Sequence, residues 1–344
     1  MTTELKPNFG NFTAKGIVTG LDRDNAFTEG QKEGKNPWKK VQFGAKVSET
    51  QFVYVELMGA QTKDAKFVYR DPSTKKVDNS NFYFVPWKER YKHEPKENYE
   101  MSNTVTVGLE RGEDGKKAKD NKVLTAYDAV DYIKKFLKNG ESIYVRGQLQ
   151  ITEYNGRPQE KYVIQKIYVT SDPVNFKVDN FEPEASFNQE IVYLDTSEDS
   201  MTGKTFINTN IIYKRDGNIT YVPYSFIVDA AKYKSDNTKE QQIKKMIQSF
   251  NNLPYGSTIR VTGNINIGTV MEAQEDDFGG FSAKGQEQYV KDTVKELEIT
   301  SGSSETLVRG RYTYDDFYNL DNSNSNQFIE DSASIDISDD ELPF

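Results

Sequence analysis

The feature that most restricts this 344-residue chain is a stretch of sequence that occurs twice. Residues 140–151 read G-E-S-I-Y-V-R-G-Q-L-Q-I, and residues 256–267 read G-S-T-I-R-V-T-G-N-I-N-I. Apolar residues alternate in both, at Ile143, Val145, Leu149 and Ile151 and at Ile259, Val261, Ile265 and Ile267. That period of two is the mark of a strand with one buried face. Each copy has a glycine at the same inward position, Gly147 and Gly263, where a long strand can bend around a barrel corner. One supersecondary unit is therefore used twice.

The flanking segments extend the repeat. A helix is expected before each strand. Thr125 can N-cap a stripe of Ala126, Ala129, Val130, Ile133 and Leu137 that Gly140 stops. Thr238 with Gln241 fits a capping box ahead of Ile243, Met246, Ile247 and Phe250. After each strand a second match follows, residues 164–171 against 294–301. Upstream of each helix lie strand-like runs, about 12–21, 40–47 and 52–57 in the first half and about 190–194, 205–213 and 219–228 in the second. Three strands, a helix and two strands is the order of the OB fold, a small Greek-key barrel.

The expected fold class is mainly β: tandem OB-fold barrels of five strands and one helix each, with a disordered acidic C-terminal tail. The first OB domain is expected over 1–172, with an insertion at about 60–122, rich in Lys and aromatics and loop-like with short strands. A linker follows over 173–188, then a second OB domain over 189–301 and a Ser/Asn/Asp-rich tail over 302–344.

Composition agrees with a β protein, since 21 Tyr and 20 Phe are present and the apolar residues sit in short runs. The chain has no cysteine, which excludes disulfides and thiolate metal sites. Neither a long apolar span nor the basic and apolar regions of a signal peptide is present. These features point to a cytoplasmic protein with no membrane association. A net charge of −9 looks ill suited to a polyanionic partner, but it is unevenly placed. Residues 1–172 carry 29 Lys+Arg against 24 Asp+Glu, whereas residues 302–344 carry 2 against 10. The acidity belongs mostly to the tail, leaving the first domain basic.

No catalytic constellation is legible, and the chain is expected not to be an enzyme. The single histidine, His93, has no second histidine with which to build a triad or zinc site and reads as a solvent-exposed loop residue. Residues 279–285 are glycine-rich but lack the spacing of a phosphate-binding loop, and read as a strand-connecting loop. No cofactor or metal is expected.

Non-specific single-strand binders combine positive charge with aromatic faces on which bases stack. Alternation sends Val41, Phe43, Ala45 and Val47, then Val53, Val55 and Leu57, to the core, so Lys40, Lys46, Phe52 and Tyr54 face outward. In OB folds the outer face of strands two and three is the usual nucleic-acid platform. The competing reading is that the insertion covers Phe52 and Tyr54 as a second small core. Trp38 and Lys39 enter the same strand, and residues 82–92 interleave aromatics with cations, adding Trp87, Lys88, Arg90 and Tyr91. A shorter echo, Tyr221-Val222-Pro223-Tyr224 against Phe84-Val85-Pro86-Trp87, adds Tyr224 as an equivalent position in the second domain. That domain has fewer cations, and with Glu275, Asp276 and Asp277 in its last loop it is expected to bind more weakly or to serve assembly.

The chain ends Asp339-Asp340-Glu341-Leu342-Pro343-Phe344. This tip resembles that of bacterial and phage replicative single-stranded DNA-binding proteins, which end in acids followed by Ile/Leu-Pro-Phe. The resemblance implies sequence-independent binding and protection of single-stranded DNA in replication, recombination and repair. It also implies that the six terminal residues dock on replication and recombination proteins. Leu342 and Phe344 suit an apolar pocket, Pro343 stiffens the approach, and the carboxylates suit a basic rim. Two domains in one chain and a large insertion depart from the usual bacterial protein and look more like a large bacteriophage's own version. A strand-annealing factor and a phage structural protein built from OB-like modules are the other readings.

Overall fold

The computed structural model describes residues 4–113, 115, 118–179, 181–273, 289–318 and 320; no side chain of 269–273 or 289–294 is described. In the first half, β1 (Gly10–Thr19), β2 (Phe27–Gly30), β3 (Trp38–Lys46) and β4 (Phe52–Ala60) are followed by an insertion. The insertion comprises β5 (Asp64–Arg70), β6 (Val77–Pro86), β7 (Tyr99–Met101), β8 (Thr104–Gly108) and β9 (Lys122–Thr125). Helix α1 (Ala126–Phe136), β10 (Ser142–Tyr154) and β11 (Arg157–Val169) complete the half. Strand β1 pairs with β3, β3 with β4, β4 in parallel with β11, β11 with β10, and β10 with β1. Each of these five strands thus has a neighbour on both sides, and the sheet closes into an OB barrel.

The second half repeats the circuit. It contains β12 (Ala185–Glu198), β13 (Lys204–Arg215), β14 (Asn218–Asp229), α2 (Asn237–Asn251), β15 (Thr258–Ala273) and β16 (Tyr289–Val308). Strand β12 pairs with β13, β13 with β14, β14 in parallel with β16, β16 with β15, and β15 with β12. Both helices are capped where a side-chain oxygen meets free backbone N–H groups. Thr125 Oγ1 accepts from the Asp128 N–H at 3.3 Å, as its position before the apolar stripe requires. In α2 the cap is Asp236, which accepts from the N–H groups of Thr238 and Lys239 at 3.1 Å. The helix thus starts earlier than a Thr238–Gln241 box would place it.

The repeated glycines mark the same joint in both barrels. Pairing shifts register between Arg146 and Gly147, and between Thr262 and Gly263, leaving Gln165 and Thr300 as the extra residues on the facing strands. A Cβ on Gly147 would overlap the Val163 carbonyl oxygen, and one on Gly263 the Glu298 carbonyl oxygen. Gly147 pairs with Ile164 and Gly263 with Ile299. Ile164 therefore corresponds to Ile299 and not to Val294: the second sequence match is displaced by five residues, because similar alternation recurs along one long strand.

The barrels are joined through equivalent strands. β1 runs antiparallel to β12 with Phe12 opposite Phe187. Phe12 faces Gly147 within its own barrel, and Phe187 faces Gly263 within its own. Equivalent residues paired with one another are what a two-fold relation produces. The second barrel also reaches the first at Gln51, bridged to Gly268, and at Glu160, which accepts from Tyr224 Oη at 2.6 Å and is paired with Lys295 at 3.1 Å.

Four sequence expectations change. The insertion is not loop-like: β6, β5 and β7 form a separate sheet over a core of Ala65, Phe67 and Val85, and β8 adds to the barrel beside β11. His93 belongs to that small core's edge, with Nε2 3.0 Å from Tyr83 Oη and its ring against Phe67. The linker shortens to residues 173–184, since β12 begins at Ala185. The tail does not start at residue 302 either, because β16 continues to Val308 and Tyr312 and Phe317 are buried with Leu5 on Val192 and Ile212. Those two side chains point out of the second barrel, and the chain's own ends keep them from water. The acids Glu275–Asp277, residues 279–285 and the six-residue tip lie outside the described residues. Among the described residues, no helix is long and apolar enough to cross a membrane, and no group of three His, Cys, Asp or Glu is placed to hold a metal ion.

Candidate nucleic-acid interface

Strands β3 and β4 are antiparallel with Lys46 opposite Phe52, Gly44 opposite Tyr54 and Lys40 opposite Met58. The pleat therefore places Trp38, Lys40, Gln42, Gly44 and Lys46 beside Ala60, Met58, Glu56, Tyr54 and Phe52 on the barrel's outer face. Phe52 and Tyr54 lie parallel, centroids 6.3 Å apart and planes 19° apart. Tyr54 is 51% exposed; its opposite residue, glycine, adds no side chain to cover it. Lys46 Nζ stands 5.9 Å from the Phe52 ring centre and 5.5 Å from that of Phe176, in the linker. Phe176 was not legible as a site residue; only the return of the linker across the barrel brings it there. Lys40 is paired with Glu56 at 2.8 Å, a partly buried contact that a phosphate would have to replace.

The insertion's core holds neither Phe52 nor Tyr54, so the competing idea of a second core over them does not hold. The insertion docks farther along, at the Met58–Ala60 end, where a groove of about 740 Å³ opens between barrel and insertion. Met58, Lys63, Phe84, Trp87, Tyr127 and Gln165 are among its lining residues.

The structure places Trp38, Lys40, Lys46, Phe52 and Tyr54 on one face, with Trp38 at the Ala60 end, away from Phe52. Four other residues are placed elsewhere. Lys39 has the parity of Val41 and Phe43, so it lies on the opposite side of β3. There it is paired with Asp131 at 2.6 Å and stands over the Tyr127 ring. The Asp131 hydrogen bond raises its pKa against the opposing effect of burial. Alternation alone contained that signal. Arg90 forks onto Asp128 with Nε 3.0 Å and Nη2 2.7 Å from Oδ2, and Tyr91 Oη donates to the same oxygen at 2.5 Å. Both residues fasten the insertion to the start of α1. Burial pushes the Asp128 carboxyl up, but hydrogen bonds from Thr125, Tyr91 and Arg90 outweigh it and hold the group below its ordinary value. Tyr224 is buried inside the second barrel, edge-on to Phe226 at 4.7 Å. Burial, then the Glu160 charge, push its hydroxyl well above the usual tyrosine range. Its four-residue echo also fails, since Phe84–Trp87 belongs to the insertion and not to a barrel strand. Of the remaining two, Trp87 lines the groove, its ring against Tyr127 at 6.2 Å, and Lys88 is exposed on the insertion.

Among the described residues, the second barrel has no matching aromatic face. The parallel pairings Val163↔Glu56 and Glu298↔Ile227 make Tyr54 equivalent to Ser225 and Phe52 to Pro223. Ser225 bonds to Asn208 at 2.7 Å, and Lys204, in the place of Lys40, is held by Glu296 at 2.7 Å.

Fold and site together define a protein of two OB barrels with one aromatic, lysine-flanked platform. The YorF family model matches residues 89–334, more than half of the chain, and the chain belongs to that family. Among solved structures, the chain is similar to the single-stranded DNA binding protein from Thermus aquaticus. A deletion mutant matches at 9% identity and a TM-score of 0.36 over 86% of this chain and 94% of that one. The wild type matches at 8% and 0.36 over 87% and 93%. No curated protein matches the sequence. The fold assignment rests on the strand pairings themselves.

Proposed function

We propose that this protein is a non-enzymatic, sequence-independent binder of single-stranded DNA whose first barrel makes the principal contact. One observation carries the reading: Tyr54, half-exposed, lies parallel to a partly buried Phe52 whose ring Lys46 covers, on the barrel's outer face and outside the insertion's own core. Such a face offers stacking to any base, about 1–3 kcal/mol each, and a cation to the backbone. Nothing in it selects a base edge. In the finer reading the protein protects single strands during replication, recombination and repair inside the bacterial cell, and recruits partners through Asp339–Phe344.

The test is a fluorescence titration with poly(dT) at fixed salt. Changing Phe52 and Tyr54 together to Ala should weaken binding by about 2 kcal/mol or more without lowering the melting temperature. Binding by the intact protein should also weaken steeply as salt is raised. Equal affinity of variant and parent would remove the platform from the interface.

A further inference from the structure

We propose that the groove between the first barrel and the inserted β5–β7 sheet receives the continuation of the single strand that leaves the platform. The insertion is then a second binding wall. This rests on the reading above and extends it to residues outside the barrel strands.

The platform row leads into the groove. Beyond Tyr54 the outer face of β4 carries Glu56, Met58 and Ala60, with Trp38 opposite Ala60. Met58, 55% exposed, forms the barrel-side lip of the groove. From the insertion, Phe84, 59% exposed, and Trp87 line the same groove. Phe82 continues the aromatic row along β6, edge-on to Phe84 at 5.3 Å, and Lys66 Nζ lies 4.1 Å from the Phe82 ring centre. Lys63 and Lys66 against Asp64 are the charged groups of the lining, leaving it net positive, and Asn103, Thr104 and Gln165 add neutral polar groups.

Strand β6 is one of the two edge strands of its sheet. An edge carrying two exposed phenylalanines is a liability for aggregation unless something uses it. The sheet's own core lies on its other side, at Ala65, Phe67 and Val85, so neither Phe82 nor Phe84 is needed to fill it. Aromatic faces and a thioether at the lips, with lysines beside them, suit a chain of flat bases and phosphates.

The experiment compares the full-length protein with an F84A/K66A variant on oligo(dT) of two lengths. One is about 8 nucleotides, within one barrel's site, and the other about three times longer. The variant should match the parent on the short strand and bind the long one about tenfold more weakly, with a smaller salt dependence. F84Y, which keeps the ring, should bind the long strand as the parent does. Variants indistinguishable from the parent on both lengths overturn the groove but leave the platform; that is the result expected if the groove serves a protein segment. Loss of long-strand affinity in F84Y also overturns it. A parent that binds neither length overturns the platform and the groove together.

Discussion

At the scale of single residues, the two repeated glycines have a sharper role than flexibility. Neither adopts a left-handed backbone; what excludes a side chain is the facing carbonyl, Val163 in one barrel and Glu298 in the other. Backbone atoms cannot retreat without breaking the ladder at the bulge, so the cost of a methyl group falls on the barrel joint. Gly147→Ala should lower stability by about 2–3 kcal/mol, read as a fall in the urea midpoint with the slope unchanged. Gly10→Ala would meet the buried Gln189 side-chain oxygen first and the Leu149 carbonyl oxygen next. The alternation that exposes Tyr54 was legible for the same reason that Lys39 could have been excluded. Parity along a strand is local geometry, and it decides the face before anything else folds.

At the scale of elements, the insertion holds its place through one charged clamp. Arg90, whose guanidinium also lies 4.2 Å from the Trp87 ring centre, and Tyr91 converge on Asp128 in the first turn of α1. A carboxylate there also meets the free N–H groups of the helix start. Arg90→Ala should cost about 2 kcal/mol and raise hydrogen exchange over residues 64–101 while β10 and β11 stay protected. The effect has a defined pH dependence. Asp128 has a folded pKa below its unfolded one, so its stabilisation is complete above the ordinary aspartate range and is lost as pH falls through the folded value. The gap between parent and Arg90→Ala should be constant near neutrality and close in acid; a gap that persists there would mean the clamp is not ionic. The composition of residues 82–92 suggested DNA contact because interleaved aromatics and cations serve both purposes. Only the arrival of Asp128 from α1, more than thirty positions downstream, tells them apart.

At the scale of the whole molecule, two related barrels have diverged in surface while keeping one frame. The Phe12–Phe187 pairing makes the chain a covalent version of a two-fold dimer, and Glu160 fastens the halves through Tyr224 and Lys295. Within that frame, among the described residues, only the first barrel shows a stacked ring pair, exposed at Tyr54, on the outer face of its third strand. The second places Pro223 and Ser225 there, and the chain's ends cover Val192 and Ile212. Charge follows the same division, since residues 302–344 hold 10 Asp+Glu against 2 Lys+Arg. Removing residues 336–344 should leave affinity for poly(dT) unchanged or higher, because like charge is removed, while abolishing capture of replication proteins in a pull-down. Much weaker DNA binding by the truncated protein would contradict that division of labour.

The amino-acid sequence by itself determined the barrels, their order and their strand faces, because period-two burial, N-caps and the repeated glycines act through neighbours in the chain. It also exposed the uneven charge and the platform pair, which depend on nothing beyond strand parity and fold order. Tertiary structure alone decided that the insertion forms a sheet of its own, and that Arg90, Tyr91 and Tyr224 serve packing. It alone set Phe176 beside Lys46 and the register that equates Ile164 with Ile299. In each case the partner comes from a distant segment, and a contact between distant segments leaves no periodicity in either of them.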